Sequence, residues 1–243
     1  MEQKRYTYED FLEIIKTLRS ENGCPWDREQ THSSLRPCMT EEAAEVVAAI
    51  RIYEKTGHFE NLREELGDVL LQVVMHACIA QEESLFSMED VVNEVAEKMV
   101  RRHPHVFGEV KADTSDQVLQ NWDEIKKEEK AGKVQTQTPL REIPMELSAL
   151  TRASKVLKKA DKLYESQGTF EETVEKLKKA VKEIETLGTD ASDALSVPLG
   201  ELLMAASNIA RICKLPQEQI LADKIDDLIE KYEQSFTEFL QKP

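Results

Sequence analysis

Two short acidic motifs are the residues of this chain best suited to chemistry. Each motif pairs two carboxylates three positions apart, Glu42 with Glu45 and Glu65 with Asp68, and twenty-three residues separate their starts. In a helix this spacing places both side chains of a pair on one face. Four converging buried carboxylates repel one another and lose hydration unless a cation compensates them. The motifs therefore predict an all-oxygen site for a hard divalent ion, Mg²⁺ or Mn²⁺.

A structural role is the simplest alternative for these acids. Thr40 is a candidate N-cap, which would place Glu42 in a first helical turn, where the helix dipole favours negative charge. Asn61 and Glu64 resemble a capping pair in the same way. Capping does not account for acids deeper in the predicted helices, such as Asp68.

Gly67 and His76 bear on what binds beside the acids and on which metal would fit. Gly67 lies between the acids of the second pair. A glycine inside a helix costs about 1 kcal/mol relative to alanine, so it indicates close approach of a partner helix or a ligand. A di-iron site is the nearest chemical rival, but it requires Glu-x-x-His motifs. His76 lies eight residues beyond Asp68, and both pairs end in acids, which disfavours iron.

The composition narrows the class of protein. The 243 residues carry a net charge of −15, which argues against nucleic-acid binding because phosphate contact requires a basic surface. The four cysteines are dispersed without CxxC spacing, so neither disulfides nor a zinc site are expected. We find no apolar leader and no run long enough to span a membrane, and we therefore expect a cytoplasmic protein.

Helical periodicity dominates the chain and predicts an all-α fold. The predicted helices cover residues 7–20, 39–55, 60–82, 88–102, 115–130, 147–165, 170–187, 197–213 and 216–240. The first five are expected to form a four-helix bundle with an appended arm. Residues 131–146 contain two prolines and few apolar side chains, which is typical of a linker. The sequence thus predicts an N-terminal domain over 1–130, a linker over 131–146 and a C-terminal domain over 147–243.

Several segments together resemble a known family. They are residues 22–31 (NGCPWDREQT), 41–45 (EEAAE), 64–68 (EELGD), 101–107 (RRHPHVF) and 121–126 (NWDEIK). In this order they resemble the MazG family of all-α nucleoside triphosphate pyrophosphohydrolases, over residues from about 8 to 130. The resemblance implies Mg²⁺-dependent cleavage of a nucleoside triphosphate (NTP) to a nucleoside monophosphate and pyrophosphate. It also implies a homodimer of intertwined helical bundles.

The resemblance also implies roles for individual residues. The metal ligands would be Glu42, Glu45, Glu65 and Asp68, and Glu41 or Glu64 would orient or deprotonate the attacking water. The residues expected to contact substrate are Lys98, Arg101 and Arg102 at the triphosphate, Trp122 at the nucleobase and Lys126 at a phosphate.

Each substrate contact has a structural alternative. The basic residues at the end of the fourth helix could simply balance its dipole, and Trp122 could be a core residue. Trp26 is expected to be structural or to line the pocket. His103 and His105 are interpreted as helix-end and packing residues.

The second half reads as a degenerate copy of the first. The first acid pair aligns with Ala180 and Glu183, and the second aligns with Pro198 and Glu201, so half of the carboxylates are lost. In the alternative register the acids of the first pair become Lys179 and Lys182, which suits a cation no better. Two carboxylates supply too little charge for a two-metal site. We therefore expect this half to be non-catalytic and to serve dimerisation or regulation.

The function predicted from these residues is hydrolysis of an NTP by water attack at the α-phosphate, in nucleotide-pool house-cleaning. The rival class is a helical dimer without catalytic activity that senses a nucleotide or a partner protein. Four converging acids argue against a sensor, which has no need of them.

Overall fold

The computed structural model describes residues 5–131, 138–164, 168–189 and 192–240, and every regular element in these ranges is helical. The helices are α1 (Tyr8–Arg19), α2 (Pro25–Glu29), α3 (Arg36–Thr56), α4 (Glu60–Glu82), α5 (Met88–Arg102), α6 (Pro104–Phe107), α7 (Ser115–Ala131), α8 (Ala149–Tyr164), α9 (Phe170–Leu187), α10 (Ser192–Ile212) and α11 (Gln217–Leu240). The predicted all-α fold is confirmed. The chain divides into two compact units, Met1–Gly132 (unit 1) and Lys133–Pro243 (unit 2).

Unit 1 is built around the hairpin of α3 and α4. Gly57 ends α3 in the left-handed region at φ 76°, which glycine adopts without a steric penalty, and the chain then reverses into α4. Helices α1 and α5 also pack against α4, and α7 contacts α5. The centre of the core consists of Ile15, Leu35, Val74, Met75, Cys78 and Ile79.

An ion pair between the buried Arg19 and the half-exposed Glu82 connects helices at one end of this bundle. The side chain of Arg19 is 3% exposed, and its Nε and Nη2 donate to both carboxylate oxygens of Glu82 at 2.8 and 2.7 Å. Its Nη1 also donates to the carbonyl oxygens of Asp27 and Gln30. The guanidinium therefore joins α1, α2 and α4 at the end of the bundle distant from the α3–α4 turn.

Helices α1 and α5 begin with complete capping boxes. Thr7 accepts a hydrogen bond from the backbone of Asp10, whose carboxylate accepts one from the backbone of Thr7. Ser87 and Asp90 make the same reciprocal pair at α5. These caps pair backbone N–H groups that a helix start otherwise leaves unsatisfied.

Two helix starts differ from the prediction, and both involve proline. Helix α3 begins at Arg36 because Pro37 fits its first turn, where no backbone donor is needed. Helix α10 begins at Ser192 and contains Pro198 in its interior, a position that the prediction avoided. The short helices α2 and α6 were not predicted, and each has a proline in its first turn.

Unit 2 pairs its helices in a similar order. Helices α9 and α10 form the closest pair, and α8 and α11 each pack against α10. A series of side-chain hydrogen bonds links three of these helices. Arg211 donates to Asp161 at 3.0 Å and to Asn208 at 2.8 Å, and Asn208 donates to the buried Thr173 at 2.9 Å. Within the predicted linker, residues 132–137 lie outside the described residues, whereas Ile143 is buried in unit 2.

Candidate active site

The α3–α4 hairpin brings three of the four predicted ligands together. Carboxylate oxygens of Glu42, Glu45 and Glu65 lie within 4.8 Å of one another. The two pairs meet because each follows the i, i+3 face of its helix and the helices pack side by side. This spacing allows one cation to contact all three carboxylates.

Asp68 lies outside this close group but acts on it electrostatically. The pKa of Glu42 is raised, first because burial disfavours its charged form and then because of the nearby charge of Asp68. Glu45 and Glu65 raise it further, and Glu45 also hydrogen-bonds to Glu42. The raised pKa indicates carboxylates that repel one another in the absence of a positive charge.

The carboxylates are less buried than the sequence analysis expected. Glu42, Glu65 and Asp68 are half-buried, and Glu45 is exposed. The prediction of four acids inside the bundle is therefore wrong in this respect, because the interior of unit 1 is filled by apolar side chains and the acids line an open side of the hairpin. An open side leaves room for a ligand to reach the carboxylates.

The capping alternative is contradicted by the helix boundaries. Thr40 lies in the second turn of α3, where its hydroxyl donates to the carbonyl oxygen of Arg36 at 3.3 Å. Helix α4 starts at Glu60 with Phe59 as its N-cap, and the side-chain amide of Asn61 donates a hydrogen bond to Glu65. This hydrogen bond fixes one of the clustered carboxylates, which sequence analysis did not foresee.

The remaining predicted residues of the hairpin are at the surface. Glu41 and Glu64, the candidate bases, are both exposed. A Cβ atom added to Gly67 would meet nothing within 4 Å, so no helix of the described chain approaches this glycine closely. The expectation of a partner helix at Gly67 is wrong within one copy of the described chain.

The predicted phosphate-binding residues lie on other helices. Lys98 is half-buried on α5, and Arg101 and Arg102 complete the last turn of that helix. Both arginines contact a residue that sequence analysis missed, Glu129 on α7, with closest distances of 2.8 and 2.6 Å between nitrogen and oxygen. These hydrogen bonds, that of Arg102 first, lower the pKa of Glu129 to about 2.

Trp122 packs in the same cluster. Its ring meets the edge of His103 with centroids 5.1 Å apart, and the ammonium group of Lys126 lies 5.1 Å above the indole. Trp122 Nε1 and His105 Nδ1 are buried, and within the described part of the chain neither has a hydrogen-bond partner. His103 ends α5 and contacts Met99, and Trp26 is 62% exposed on α2.

A pair of histidines lies further along α4. Nδ1 of His76 is 2.8 Å from Nδ1 of His32, in the segment before α3, and the rings are stacked at an interplanar angle of 6°. One nitrogen must donate and the other accept, so the pair requires at least one neutral ring. Burial and the proximity of His32 lower the pKa of His76. Forty-four residues separate the two histidines, and no sequence pattern indicated this contact.

The predicted alignment of the two halves places two apolar residues of unit 2 opposite acids of unit 1. These residues are Ala180 on α9, opposite Glu42, and Pro198 on α10, opposite Glu65, and both are buried. Glu183 and Glu201 remain but are exposed. Among the described residues, the only group of three or more potential metal ligands is the one in unit 1.

Comparisons with known proteins show the family to which the chain is similar. The family model of the MazG nucleotide pyrophosphohydrolase domain matches residues 30–107, which include α3, α4 and α5. The nucleoside triphosphate pyrophosphohydrolase of Escherichia coli (strain K12) is 39% identical over 231 residues, covering 93% of this chain and 84% of that protein.

Two further relatives extend the comparison. The nucleoside triphosphate pyrophosphohydrolase/pyrophosphatase MazG of Thermotoga maritima (strain MSB8) is 36% identical over 234 residues, 96% of this chain and 86% of that protein. The uncharacterized protein YabN of Bacillus subtilis (strain 168) is 47% identical over 153 residues, 63% of this chain but 30% of that protein. The chain belongs to the MazG nucleotide pyrophosphohydrolase family. Separately, none of the helices in the described ranges is both long and apolar enough to cross a membrane.

Proposed function

We propose that unit 1 hydrolyses nucleoside triphosphates to a nucleoside monophosphate and pyrophosphate by water attack at the α-phosphate. The observation that carries this proposal is the group of Glu42, Glu45 and Glu65 on the hairpin, within the segment matched by the family. Relatives that align over more than nine-tenths of the chain are named for this activity.

The metal site is assigned to Glu42, Glu45, Glu65 and Asp68. Their ligand atoms are all carboxylate oxygens, which suit a hard divalent ion, and we propose Mg²⁺ with Mn²⁺ as a substitute. The raised pKa of Glu42 supports this assignment because a bound cation would relieve the repulsion among the four acids. Such an ion would neutralise phosphate charge and lower the pKa of water.

Glu41 and Glu64 are the proposed residues that handle the attacking water. Each directly precedes a proposed ligand in sequence, and each is exposed, so solvent reaches both carboxylates. Either acid could accept the proton of a water held at the α-phosphate. No protein nucleophile is required, because water itself attacks phosphorus.

Substrate recognition is assigned to the cluster at the end of α5. Lys98, Arg101 and Arg102 supply positive charge for the triphosphate, and Lys126 supplies a further charge beside Trp122. The indole offers a flat surface for a nucleobase. Within the described residues, the buried Trp122 Nε1 has no hydrogen-bond partner. This supports a ligand contact, since a buried donor without a partner is costly in a folded chain.

A homodimer is the proposed assembly. Helix α5 leaves Val92, Val95 and Val100 between 43 and 50% exposed, and α3 and α4 leave further large apolar side chains uncovered, among them Tyr53 and Leu66. A second copy covering these faces would remove apolar area from water. It would also bring another helix towards the open space at Gly67.

The proposed role is nucleotide-pool house-cleaning in the cytoplasm, with free NTP or dNTP as substrate. The net charge of −15 supports a small-molecule substrate over a nucleic acid, and no membrane association is proposed. The alternative, a sensor that binds nucleotide without turnover, makes a different prediction for the same assay.

That assay is pyrophosphate release from a panel of NTPs and dNTPs with Mg²⁺, with EDTA as the negative control. Metal-dependent release that is lost in Glu42→Gln but kept in Glu54→Gln, an exposed acid of the same helix, would support the enzyme. Nucleotide binding without pyrophosphate release in the wild-type chain would instead identify a sensor.

A further inference from the structure

Glu129 joins the two arginines of the proposed triphosphate site. Its Oε1 accepts hydrogen bonds from Nε of Arg101 at 2.9 Å and from Nε of Arg102 at 3.3 Å. Its Oε2 accepts from Nη2 of Arg102 at 2.6 Å, and Nη2 of Arg101 lies 2.8 Å from Oε1. One carboxylate therefore holds the same edge, Nε and Nη2, of both guanidinium groups.

This arrangement orients the arginines without neutralising them. Two positive charges share one negative charge, so the group keeps a net positive charge for an anion. A guanidinium is planar and its five N–H donors are fixed relative to one another. Holding one edge of each plane against Glu129 therefore fixes the direction of the remaining N–H groups.

Arg102 and Glu129 are also largely shielded from solvent, and the carboxylate stays ionised. The side chains of Arg102 and Glu129 are only 20 and 18% exposed, whereas that of Arg101 is 53% exposed. Because the pKa of Glu129 is lowered to about 2, the carboxylate is charged throughout the range in which the protein would work. The arginines are thus held at every such pH.

Glu129 acts on the base-binding side of the site as well. Trp122, Lys126 and Glu129 follow the i, i+4, i+7 spacing and share one face of α7. Trp122 meets His103 at the end of α5, and Glu129 meets the two arginines that precede this histidine. The same ion pairs that fix the arginines therefore hold the indole and Lys126 beside them.

We propose that Glu129 is a positioning residue for substrate binding: it fixes Arg101 and Arg102 and holds α7 so that Trp122 and Lys126 complete one phosphate and base site. This inference rests on the proposed function. It adds a residue from outside the segment matched by the family, which ends at 107.

The test compares Glu129→Gln with Glu128→Gln, the exposed neighbouring acid, in the full chain. For Glu129→Gln we expect KM to rise about 10-fold for every NTP while kcat stays within about two-fold, because a charge-assisted contact to substrate is loosened and the metal site is untouched. Glu128→Gln should leave both constants unchanged. An unchanged KM in Glu129→Gln would overturn the proposal. A lowered KM would also overturn it, since it would mean that the carboxylate competes with the phosphates.

A double-mutant cycle separates positioning from a general loss of stability. If Glu129 acts through Arg102, Glu129→Gln should raise KM less in an Arg102→Ala background than in the wild type. Full additivity would contradict the proposal. Should the glutamine variant fail to fold, Glu129→Asp applies the same test, since it keeps the charge but shortens the side chain, and a normal KM in that variant would overturn the positioning role.

Failure of the positioning role and failure of the proposed function would give different results. If the wild-type chain releases no pyrophosphate, the proposed function fails. If the wild-type chain is active and Glu129→Gln has a normal KM, only the positioning role fails.

Discussion

At the scale of single residues, Glu42 is the centre of the candidate metal site. It is the carboxylate whose pKa is raised by burial and by all three other acids of the group. The same repulsion that raises this pKa destabilises the metal-free chain at neutral pH. The charge of Glu42 is therefore expected to favour metal binding but to lower the stability of the metal-free chain.

The first prediction concerns turnover and thermal stability in variants of the acids. Glu42→Gln or Asp68→Asn should reduce turnover by at least about 100-fold, because each removes charge that stabilises the reacting complex. In EDTA, Glu42→Gln should also raise the melting temperature at pH 7, since the repelled charge is gone. Turnover and thermal melts measure the two effects, with Glu54→Gln as the matched control. Near-wild-type turnover in both variants would contradict the metal assignment.

The second prediction separates phosphate contacts from base contacts. Arg102→Ala should raise KM roughly 10- to 100-fold for all NTPs alike, because every substrate carries the same triphosphate. Trp122→Ala should weaken binding by about 1–3 kcal/mol, but unequally among the bases, because stacking strength differs between rings. KM values for four NTPs measure both. Equal losses in Trp122→Ala would mean that this residue only packs against His103.

At the scale of elements, the α3–α4 hairpin carries the clustered acids in one stretch and buried core residues in another. The acids Glu65 and Asp68 lie in the first half of α4, and the buried residues of this helix begin at Gln72. The His32–His76 hydrogen bond ties the segment before α3 to the middle of this buried stretch. Protonation of this pair would therefore loosen the hairpin in this stretch.

The third prediction gives this contact a pH dependence. The pKa of His76 is lowered from its ordinary value of 6.5, so as pH falls the unfolded chain takes up the proton first. The stability that the pair contributes is present above about pH 6.5 and is lost as pH falls below it. Thermal melts between pH 7.5 and 5.5 should show a steeper loss in wild type than in His76→Asn.

The control for this prediction is His58→Asn. His58 is 80% exposed and should leave the pH profile of the wild type unchanged. The raised pKa of Glu42 acts in the opposite direction, but it is common to all three chains and cancels in the comparison. Parallel profiles for wild type and His76→Asn would rule out the histidine pair as the source of acid sensitivity.

At the scale of the whole molecule, the two units share an order of helix packing but not a set of acids. Each unit has a helix hairpin with two further helices packed on its second arm. In the predicted alignment of the two units, the buried Ala180 and Pro198 stand opposite Glu42 and Glu65. Apolar packing there leaves a cation without its ligands, so we propose that unit 2 is a non-catalytic scaffold or regulatory unit.

The fourth prediction tests this division in the full chain. The double variant Glu183→Gln with Glu201→Gln should keep wild-type turnover, whereas Glu42→Gln alone should abolish it, since ligand charge governs Mg²⁺ binding. A fragment of residues 1–132 should retain hydrolysis if it still dimerises, and residues 133–243 alone should show none. Turnover by the second fragment would mean that the alignment of the two halves is wrong.

The sequence by itself determined the helices and the acid pairs. Helical period and i, i+3 spacing are local properties, so α4 and α5 were predicted with their observed bounds, and Glu42 was expected beside Glu45, where the structure has it. The helix starts near Pro37 and Pro198 were missed, because a proline can lie in the first turn of a helix, as Pro37 does, or inside it, as Pro198 does.

Only the tertiary structure decided which side chains of different helices contact one another and how far each is buried. It left three of the acids half-buried and Glu45 exposed, and it placed Asp68 outside the closest group. It also joined His32 to His76 across 44 residues and Arg102 to Glu129 across 27. Such contacts depend on the packing and rotation of whole helices, and many sequences with the same local pattern would allow other pairings. Local spacing therefore determined which residues could act, and packing determined which of them meet.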